Sequence, residues 1–315
     1  MEYRYEELVQ STDQFNKDGF IGNTQFGKVY RGKLESHNST ATSSRKDEVT
    51  IKFWRWPQFF TEFCHWVEYE SDRLMIKNER LVHEEIRSHP SVAKLIGYCD
   101  EEGRDVLIYD LWPLDSVYNL ITKDNFGWLH RVKVIIHMAL FIEYLHAHNP
   151  QYLIRNIDSR HLMLDEVIAS SHLTDDRPKE LGPWSDIFAF GVLILALICK
   201  RAYDPEEEGF YHELQLHILA EEQYERRIER VGRNKRCPKY SKFSLVHKSL
   251  LSSTGFSGRD GFTLTKLAMR CVEYSLYDRP SISEVVDSLL KLRTARRHGS
   301  DLDIDHLLCL RKQCA

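Results

Sequence analysis

The sequence has little that would support a secreted or metal-dependent protein. Its 7 cysteines are dispersed over 315 residues and no two form a CxxC pair, which indicates reduced thiols and excludes a disulfide framework or a paired-cysteine zinc site. The histidines form no HExxH motif and no cluster with cysteine, so a metal enzyme has no support. The opening residues, MEYRY, predict neither a signal peptide nor N-terminal myristoylation, which needs glycine at position 2.

Long apolar runs and an excess of positive charge are also missing. The longest apolar run, IFAFGVLILALIC at 187–199, has 13 residues, too few to cross a bilayer and typical of a buried core helix. Lysine and arginine number 43 against 47 aspartates and glutamates, a formal net charge of −4, whereas nucleic-acid-binding proteins normally carry a basic excess. We therefore expect a cytoplasmic chain with no transmembrane segment and no nucleic-acid partner.

The composition itself is that of a globular protein, with 42% hydrophobic and 29% charged residues, and its length allows one large domain or two lobes. Local patterns predict a hairpin, two buried strands and two helices. The hairpin is predicted at 19–34, the strands at 48–54 and 106–112, and the helices at 72–88 and 128–146. The predicted order is a β-rich front and an α-helical back that join near residue 110.

Two features of the predicted β-rich part suggest a phosphate site. Residues 21–30, IGNTQFGKVY, match the pattern IGxGxFGxVY except that Thr24 replaces the middle glycine. Glycines there let backbone N–H groups approach phosphate oxygens, although an ordinary hairpin gives the same pattern. Lys52 ends a predicted buried strand, where its charge needs a partner such as Glu79. For Lys52 alone, an exposed lysine at a strand end is the simpler interpretation.

Further segments, in order along the chain, complete the pattern of a known family. They are YEEL (5–8), LIGYC (95–99), YLH (144–146), SDIFAFGV (185–192), CVE (271–273) and DRPS (278–281). This ordered set resembles the plant receptor-like kinases and receptor-like cytoplasmic kinases. The resemblance implies an α+β, bilobal protein kinase fold. Its parts would be a helical extension at 1–18, a small lobe at 19–110, a large lobe at 111–292 and a polar C-terminal tail at 293–315.

The resemblance also implies a nucleotide site. Lys52 and Glu79 would form the lysine–glutamate pair that steadies the phosphates of ATP, although the alignment at Glu79 needs an inserted residue. Tyr109 would take the gatekeeper position, and the hinge would follow it at 110–112. The other positions implied to contact nucleotide or metal are Gly22, Gly27, Val29, Leu111 and Asp175.

The residues that would carry phosphoryl transfer depart from the family. Asn156 replaces the catalytic carboxylate, and an amide cannot accept the proton of a substrate hydroxyl. Asp158 replaces a lysine, which puts negative charge where negative charge develops. His161 replaces the metal-binding asparagine, and imidazole is a poor ligand for Mg²⁺. Losing one such part typically costs ~10²–10⁴ in rate. Because all three parts are replaced, no intact catalytic set remains.

The segment after this loop is altered as well. Residues 175–177, DDR, are the best match to the metal-binding DFG motif, so the phenylalanine and the glycine are lost. The predicted activation segment between Asp175 and Asp186 is several times shorter than in active relatives. Asp186 is expected to begin a buried helix and to anchor the catalytic-loop backbone, and Arg279 to pair with an acid such as Glu180.

These departures favour a receptor-like cytoplasmic pseudokinase that acts as a signalling adaptor or scaffold, with plant immune or receptor signalling as its setting. The expected partners are a receptor kinase, a related cytoplasmic kinase or an immune receptor, and such partners would bring the chain to the plasma membrane. ATP binding is expected to be weak or absent, with little dependence on Mg²⁺. Two alternatives stay open: a serine/threonine kinase with unconventional catalysis by Lys52, Glu79 and Asp175, and a switch that binds ATP without turnover.

Residues 54–69 hold three tryptophans, three phenylalanines and a tyrosine. Packing inside an enlarged small lobe and docking of a protein partner explain this content equally well, because aromatic residues dominate cores and interfaces alike. Trp54 and Trp56 alternate with Phe53 and Arg55, so we expect one face of this strand to be core and the other to be available. Trp56 and Trp66 are the proposed anchors of the docking surface.

Overall fold

The structure of the chain is a computed structural model. It describes residues 1–24, 27–34, 48–54, 77, 79–81, 83–87, 89–101, 104–112, 115–148, 151–154, 157, 159–163, 182–201, 212–232 and 244–314. The chain divides into two compact units. Residues 1–117 with 160–173 form the first, and residues 118–159 with 174–315 form the second.

The first unit is built on one antiparallel sheet of five strands in the order β1-β2-β3-β5-β4. The strands are β1 (Phe20–Thr24), β2 (Gly27–Lys33), β3 (Glu48–Trp54), β4 (Leu95–Glu101) and β5 (Arg104–Tyr109). Gly27 pairs with Trp54, and its φ is +130°. A Cβ on Gly27 would lie 1.7 Å from the carbonyl oxygen of Phe53, so only glycine allows β2 to run this close to β3.

Both faces of the sheet are packed. On one face, Leu8 of helix α1 (Tyr5–Ser11) joins a cluster that includes Val49 and Ile51 of β3. The residues before α1 extend this cover, since the Tyr3 N–H donates to the Tyr98 carbonyl at 2.9 Å. The other face carries a second cluster, which contains Ile21, Val29, Ala93, Leu107, Tyr109 and Met163. The alternation follows from the two-residue period of a strand.

The second unit is helical. Its helices are α2 (Val117–Ile121, which begins at the unit boundary), α3 (Trp128–His146), α4 (Trp184–Cys199), α5 (His212–Gly232), α6 (Gly258–Cys271), α7 (Ile282–Leu290), α8 (Arg293–Arg297) and α9 (Asp305–Cys314). Helix α4 is buried along most of its length, which agrees with its apolar sequence. Within the described part of the chain, no helix combines the length and the apolarity needed to cross a membrane.

Several local predictions are confirmed. Strand 48–54 and helix 128–146 have the predicted bounds, and the hairpin forms as β1 and β2. Of the helix predicted at 72–88, residues 77, 79–81 and 83–86 are described and helical. Residues 55–69, which hold most of the aromatic segment, lie outside the described residues.

The predicted polar tail at 293–315 contains α8 and α9. Leu302, Ile304 and Leu307 are buried there, and Arg311 of α9 lies 2.7 Å from the carboxylate of Glu143 in α3. The described part of this segment therefore packs on the helical unit through apolar side chains placed between its charges.

Candidate nucleotide site

Lys52 in the middle of the sheet is buried and its charge is paired. Its Nζ lies 3.2 Å from both carboxylate oxygens of Glu79, and the two side chains are 0% and 1% exposed. Burial lowers the pKa of Lys52, and the neighbouring carboxylate of Glu79 opposes that shift. The structure thus brings together the two residues that the family resemblance paired.

Tyr109 adds a second donor to the same carboxylate. Its hydroxyl donates to Glu79 Oε1 at 2.7 Å, and the side chain is fully buried at the end of β5. Burial raises the pKa of Tyr109 well above its ordinary value, and the charge of Glu79 raises it further. The sequence placed Tyr109 at the gatekeeper position but did not predict this bond. The available signal was a phenol at the end of a buried strand, because a buried hydroxyl needs a partner.

Two further side chains of β3 point to the same face as Lys52. Thr50 is fully buried, and its Oγ1 donates to the carbonyl oxygen of Leu111 at 2.7 Å. Trp54 is partly buried, and the centre of its ring lies 4.3 Å from Lys52 Nζ, a cation–π distance. The sequence pattern gave no signal for Thr50 and indicated Trp54 only as part of the aromatic segment.

The expectation that one face of the strand would be available does not hold at Phe53 and Trp54, which pack on opposite faces. Arg55 and Trp56 lie outside the described residues. Phe53 packs edge-on against Phe15, with ring centroids 4.6 Å apart, and belongs to the face covered by α1. Trp54 packs against the cluster on the opposite face. Both faces of β3 have partners because the N-terminal segment covers the face that would otherwise meet solvent.

The β1–β2 hairpin lies beside this site. Thr24 is 4% exposed, and its hydroxyl donates to the Gly27 carbonyl at 3.2 Å. This bond joins the end of β1 to the start of β2. A Cβ added at Gly22 would meet nothing within 4 Å, whereas the backbone needs glycine at position 27. Val29 is 1% exposed and belongs to the same cluster as Tyr109.

Of the three altered positions of the catalytic loop, His161 is described and is 2% exposed. The next residue is fixed, because the Val117 N–H donates to the Leu162 carbonyl at 2.8 Å. Asn156, Asp158 and Asp175 lie outside the described residues. Among the described residues, no three histidine, cysteine, aspartate or glutamate side chains could together hold a metal ion.

In the helical unit, Asp186 has the predicted anchoring role. It is fully buried, its Oδ2 accepts from the Ile154 N–H at 3.0 Å, and the same oxygen lies 2.9 Å from His146 Nε2. Ile154 is the first residue of the predicted catalytic loop, so the anchoring part of this prediction is confirmed. The helix itself begins two residues before Asp186, at Trp184.

Arg279 also lies in the helical unit. It donates to the carbonyls of Glu273 at 2.7 Å and Trp184 at 2.9 Å. Its predicted partner Glu180 lies outside the described residues, so that pairing stays a prediction.

Comparison with known proteins agrees with this geometry. The family model described as "Protein tyrosine and serine/threonine kinase" matches residues 15–175, just over half of the chain. The chain belongs to this kinase family. Its five-stranded sheet and its helices are those of a protein kinase domain, and the predicted α+β kinase fold is confirmed.

Curated relatives of this kinase domain come from Arabidopsis thaliana. It is 27% identical to "Serine/threonine-protein kinase PBS1" over 241 residues, 65% of this chain and 48% of the relative. It is 27% identical to "Probable serine/threonine-protein kinase PBL6" over 239 residues, 64% and 51% of the two chains. With "Probable serine/threonine-protein kinase PBL2" the identity is 22% over 332 aligned positions, 95% and 71%. The chain spans about half the length of the first two relatives.

Two contacts among the described residues bear on how ATP could lie beside Lys52. A nucleotide at Lys52 needs an open face on the ammonium for phosphate and free backbone groups for the base. Here the indole of Trp54 lies against the ammonium, and the hydroxyl of Thr50 is bonded to the Leu111 carbonyl. Two of the groups implied to face a nucleotide, the Lys52 ammonium and the Leu111 carbonyl, thus already have partners within the protein.

Proposed function

We propose that this kinase-family chain is a cytoplasmic pseudokinase that acts as a signalling adaptor or scaffold by binding other proteins. The observation that carries the proposal is a contrast between framework and chemistry. Asp186 anchors the backbone at Ile154, and Lys52 and Glu79 keep their buried pair. Between Glu79 and Asp186 in the sequence, Asn156 stands where the family has its catalytic carboxylate. A kinase framework without its proton acceptor supports binding better than catalysis.

The other two loop positions add to this argument. Asp158 would repel the negative charge that develops on a transferring phosphoryl group, which is the reverse of transition-state stabilisation. His161 supplies an imidazole where Mg²⁺ prefers oxygen. Rescue of one role by another residue is conceivable in chemical terms, but three roles would each need a substitute.

A phosphotransfer assay tests the loss of catalysis. The purified chain is incubated with labelled ATP, Mg²⁺ and a generic protein substrate beside an active serine/threonine kinase. We expect no incorporation above that of the Lys52→Met variant. Incorporation that disappears in Lys52→Met would establish the alternative, an active kinase with unconventional catalysis, and would overturn the proposal.

The adaptor role is tested by capture of partners. The proposed partners are a receptor kinase, a related cytoplasmic kinase or an immune receptor, and such a partner would bring the chain to the plasma membrane. The tagged chain is used to recover proteins from its native tissue, and each candidate is then produced pure and titrated against the chain. Saturable binding of at least one of these classes supports the proposal. If the pure chain binds none of the recovered candidates, the adaptor role is contradicted.

A further inference from the structure

We propose that Thr50 and Trp54 of strand β3 fill the nucleotide site and are the residues that exclude adenine nucleotides from it. The inference concerns ligand specificity and does not depend on the adaptor role.

The first step is the position of the two residues on the strand. Side chains two residues apart share one face of a strand and stand about 7 Å apart. Lys52 has the position whose side chain meets phosphate in this family. Thr50 and Trp54 therefore flank that position on the same face, one towards the segment after Tyr109 and the other towards the β1–β2 hairpin, since Trp54 pairs with Gly27.

The second step concerns the segment that would meet the base. The Leu111 carbonyl accepts the Thr50 hydroxyl at 2.7 Å, and Thr50 is fully buried. An amino group of a purine that used this carbonyl would compete with that hydroxyl. Displacing it leaves a buried hydroxyl without an acceptor, which is unfavourable. Thr50 thus opposes binding of the base.

The third step concerns the phosphates. The Lys52 ammonium faces both oxygens of Glu79 at 3.2 Å and the Trp54 ring at 4.3 Å. A cation held against an aromatic face and a carboxylate in a buried site is already stabilised. A polyphosphate would have to move the indole before it reached the ammonium. Trp54 thus opposes binding of the phosphates.

The fourth step is the burial of the surrounding apolar side chains. Ile21, Val29, Tyr109 and Met163 belong to one cluster and are 0–4% exposed, and Trp54 packs against it. Apolar surfaces that would sandwich a purine are here already covered by protein. Removing the indole and the threonine methyl and hydroxyl would free volume at both ends of Lys52, so smaller residues are expected to open the site.

The test is a gain of binding. Wild type, Thr50→Ala/Trp54→Leu and the matched control Val49→Ala/Phe53→Leu are titrated with ATP, with and without Mg²⁺, by calorimetry and by thermal shift. The control makes similar changes on the opposite face of β3. We expect no saturable binding up to millimolar ATP for wild type and control, and binding tightened by at least about tenfold for the opened variant. Adding Lys52→Met to the opened variant should remove that gain.

Two results overturn the inference: saturable ATP binding by wild type, or an opened variant that is folded and still binds no better than wild type. If the double variant does not fold, two single variants are compared with wild type instead. They are Thr50→Val, which keeps the volume and removes the hydroxyl, and Trp54→Leu. A wild type that binds ATP but transfers no phosphate would overturn this inference and leave the proposed pseudokinase role standing. Phosphotransfer by wild type would overturn both.

Discussion

At the scale of single residues, Glu79 is the centre of the buried polar site. Its carboxylate accepts from Lys52 and from Tyr109, residues that are 27 and 30 positions away in sequence. A buried charge with its partners present is tolerated, whereas removal of one partner leaves the other charge uncompensated. The stability of the β-rich unit should therefore depend on Glu79 more than on most single residues.

Replacing Glu79 by glutamine leaves the Lys52 ammonium buried without a counter-charge. We expect the Glu79→Gln variant to lose about 3–5 kcal/mol of unfolding free energy, measured by urea denaturation. Glu84 is exposed on the same helical stretch, and Glu84→Gln serves as the control, with an expected change within about 0.5 kcal/mol. Equal stability of the two variants would show that the ion pair is not a net stabilising contact.

Tyr109 predicts how stability changes at alkaline pH. Its pKa is raised in the folded protein by burial and then by the charge of Glu79, so the folded state keeps its proton where the unfolded state loses it. Its contribution is complete below pH 10, the ordinary tyrosine value, and falls above it by up to about 1.4 kcal/mol per pH unit. The Tyr109→Phe variant should lose stability less steeply than wild type over that range.

Lys52 acts in the opposite direction, because its pKa is lowered by burial, but both proteins in this comparison retain it. The exposed Tyr277 provides the control: Tyr277→Phe should follow the wild-type pH curve. Parallel wild-type and Tyr109→Phe curves above pH 10 would contradict the assigned cause.

At the scale of elements, the ends of two helices meet at Arg131 of α3. Its guanidinium is fully buried and donates to the carbonyls of Ile121, Phe126 and Leu197 at 2.5–2.8 Å. Ile121 ends α2, and Leu197 lies in the last turn of α4, where helix carbonyls have no partner within the helix. Burial lowers the pKa of Arg131 to about 10, which still leaves it charged at neutral pH.

Replacing Arg131 by methionine keeps the apolar stem and removes all three bonds. We expect Arg131→Met to cost about 3 kcal/mol or more, since each buried carbonyl left unpaired costs about 1–3 kcal/mol. Arg131→Lys should recover only part of this, because an ammonium lacks the planar fork that reaches several acceptors. Urea denaturation measures both, with the exposed Arg270→Met as the control. A lysine variant as stable as wild type would contradict this interpretation.

At the scale of the whole molecule, the chain has the fold of a kinase domain while its sequence departs from the family at three positions of the predicted catalytic loop. The parts act together in catalysis, so effects of single changes are not additive. Under the proposed pseudokinase role, one restored residue is insufficient to restore a rate that depends on base, charge neutralisation and metal at once.

We accordingly expect Asn156→Asp alone to leave phosphotransfer at the level of wild type. The measurement is incorporation of labelled phosphate by wild type, Asn156→Asp and Asn156→Asp/Lys52→Met under identical conditions. Incorporation by the single variant that vanishes in the double variant would show that the loss of the carboxylate was the only chemical defect.

Much of the architecture was determined by local sequence. The β-branched residues of 48–54 and the apolar period of 128–146 set the bounds of β3 and α3, because strand and helix periods are properties of neighbouring residues. The altered catalytic loop is likewise evident from the identity of Asn156, and the anchoring role of Asp186 followed from its place in an ordered set of motifs.

The tertiary structure alone decided which partners the side chains of the candidate site have. The Thr50 hydroxyl meets the Leu111 carbonyl across 61 residues, and Tyr109 meets Glu79 across 30, distances over which no local period carries information. The packing of Phe53 depends on the N-terminal segment covering the sheet, which a strand pattern cannot encode. The strand period therefore determined which side chains share a face, and only the folded chain determined that Thr50 bonds to Leu111 and that Trp54 packs beside Lys52 on that face.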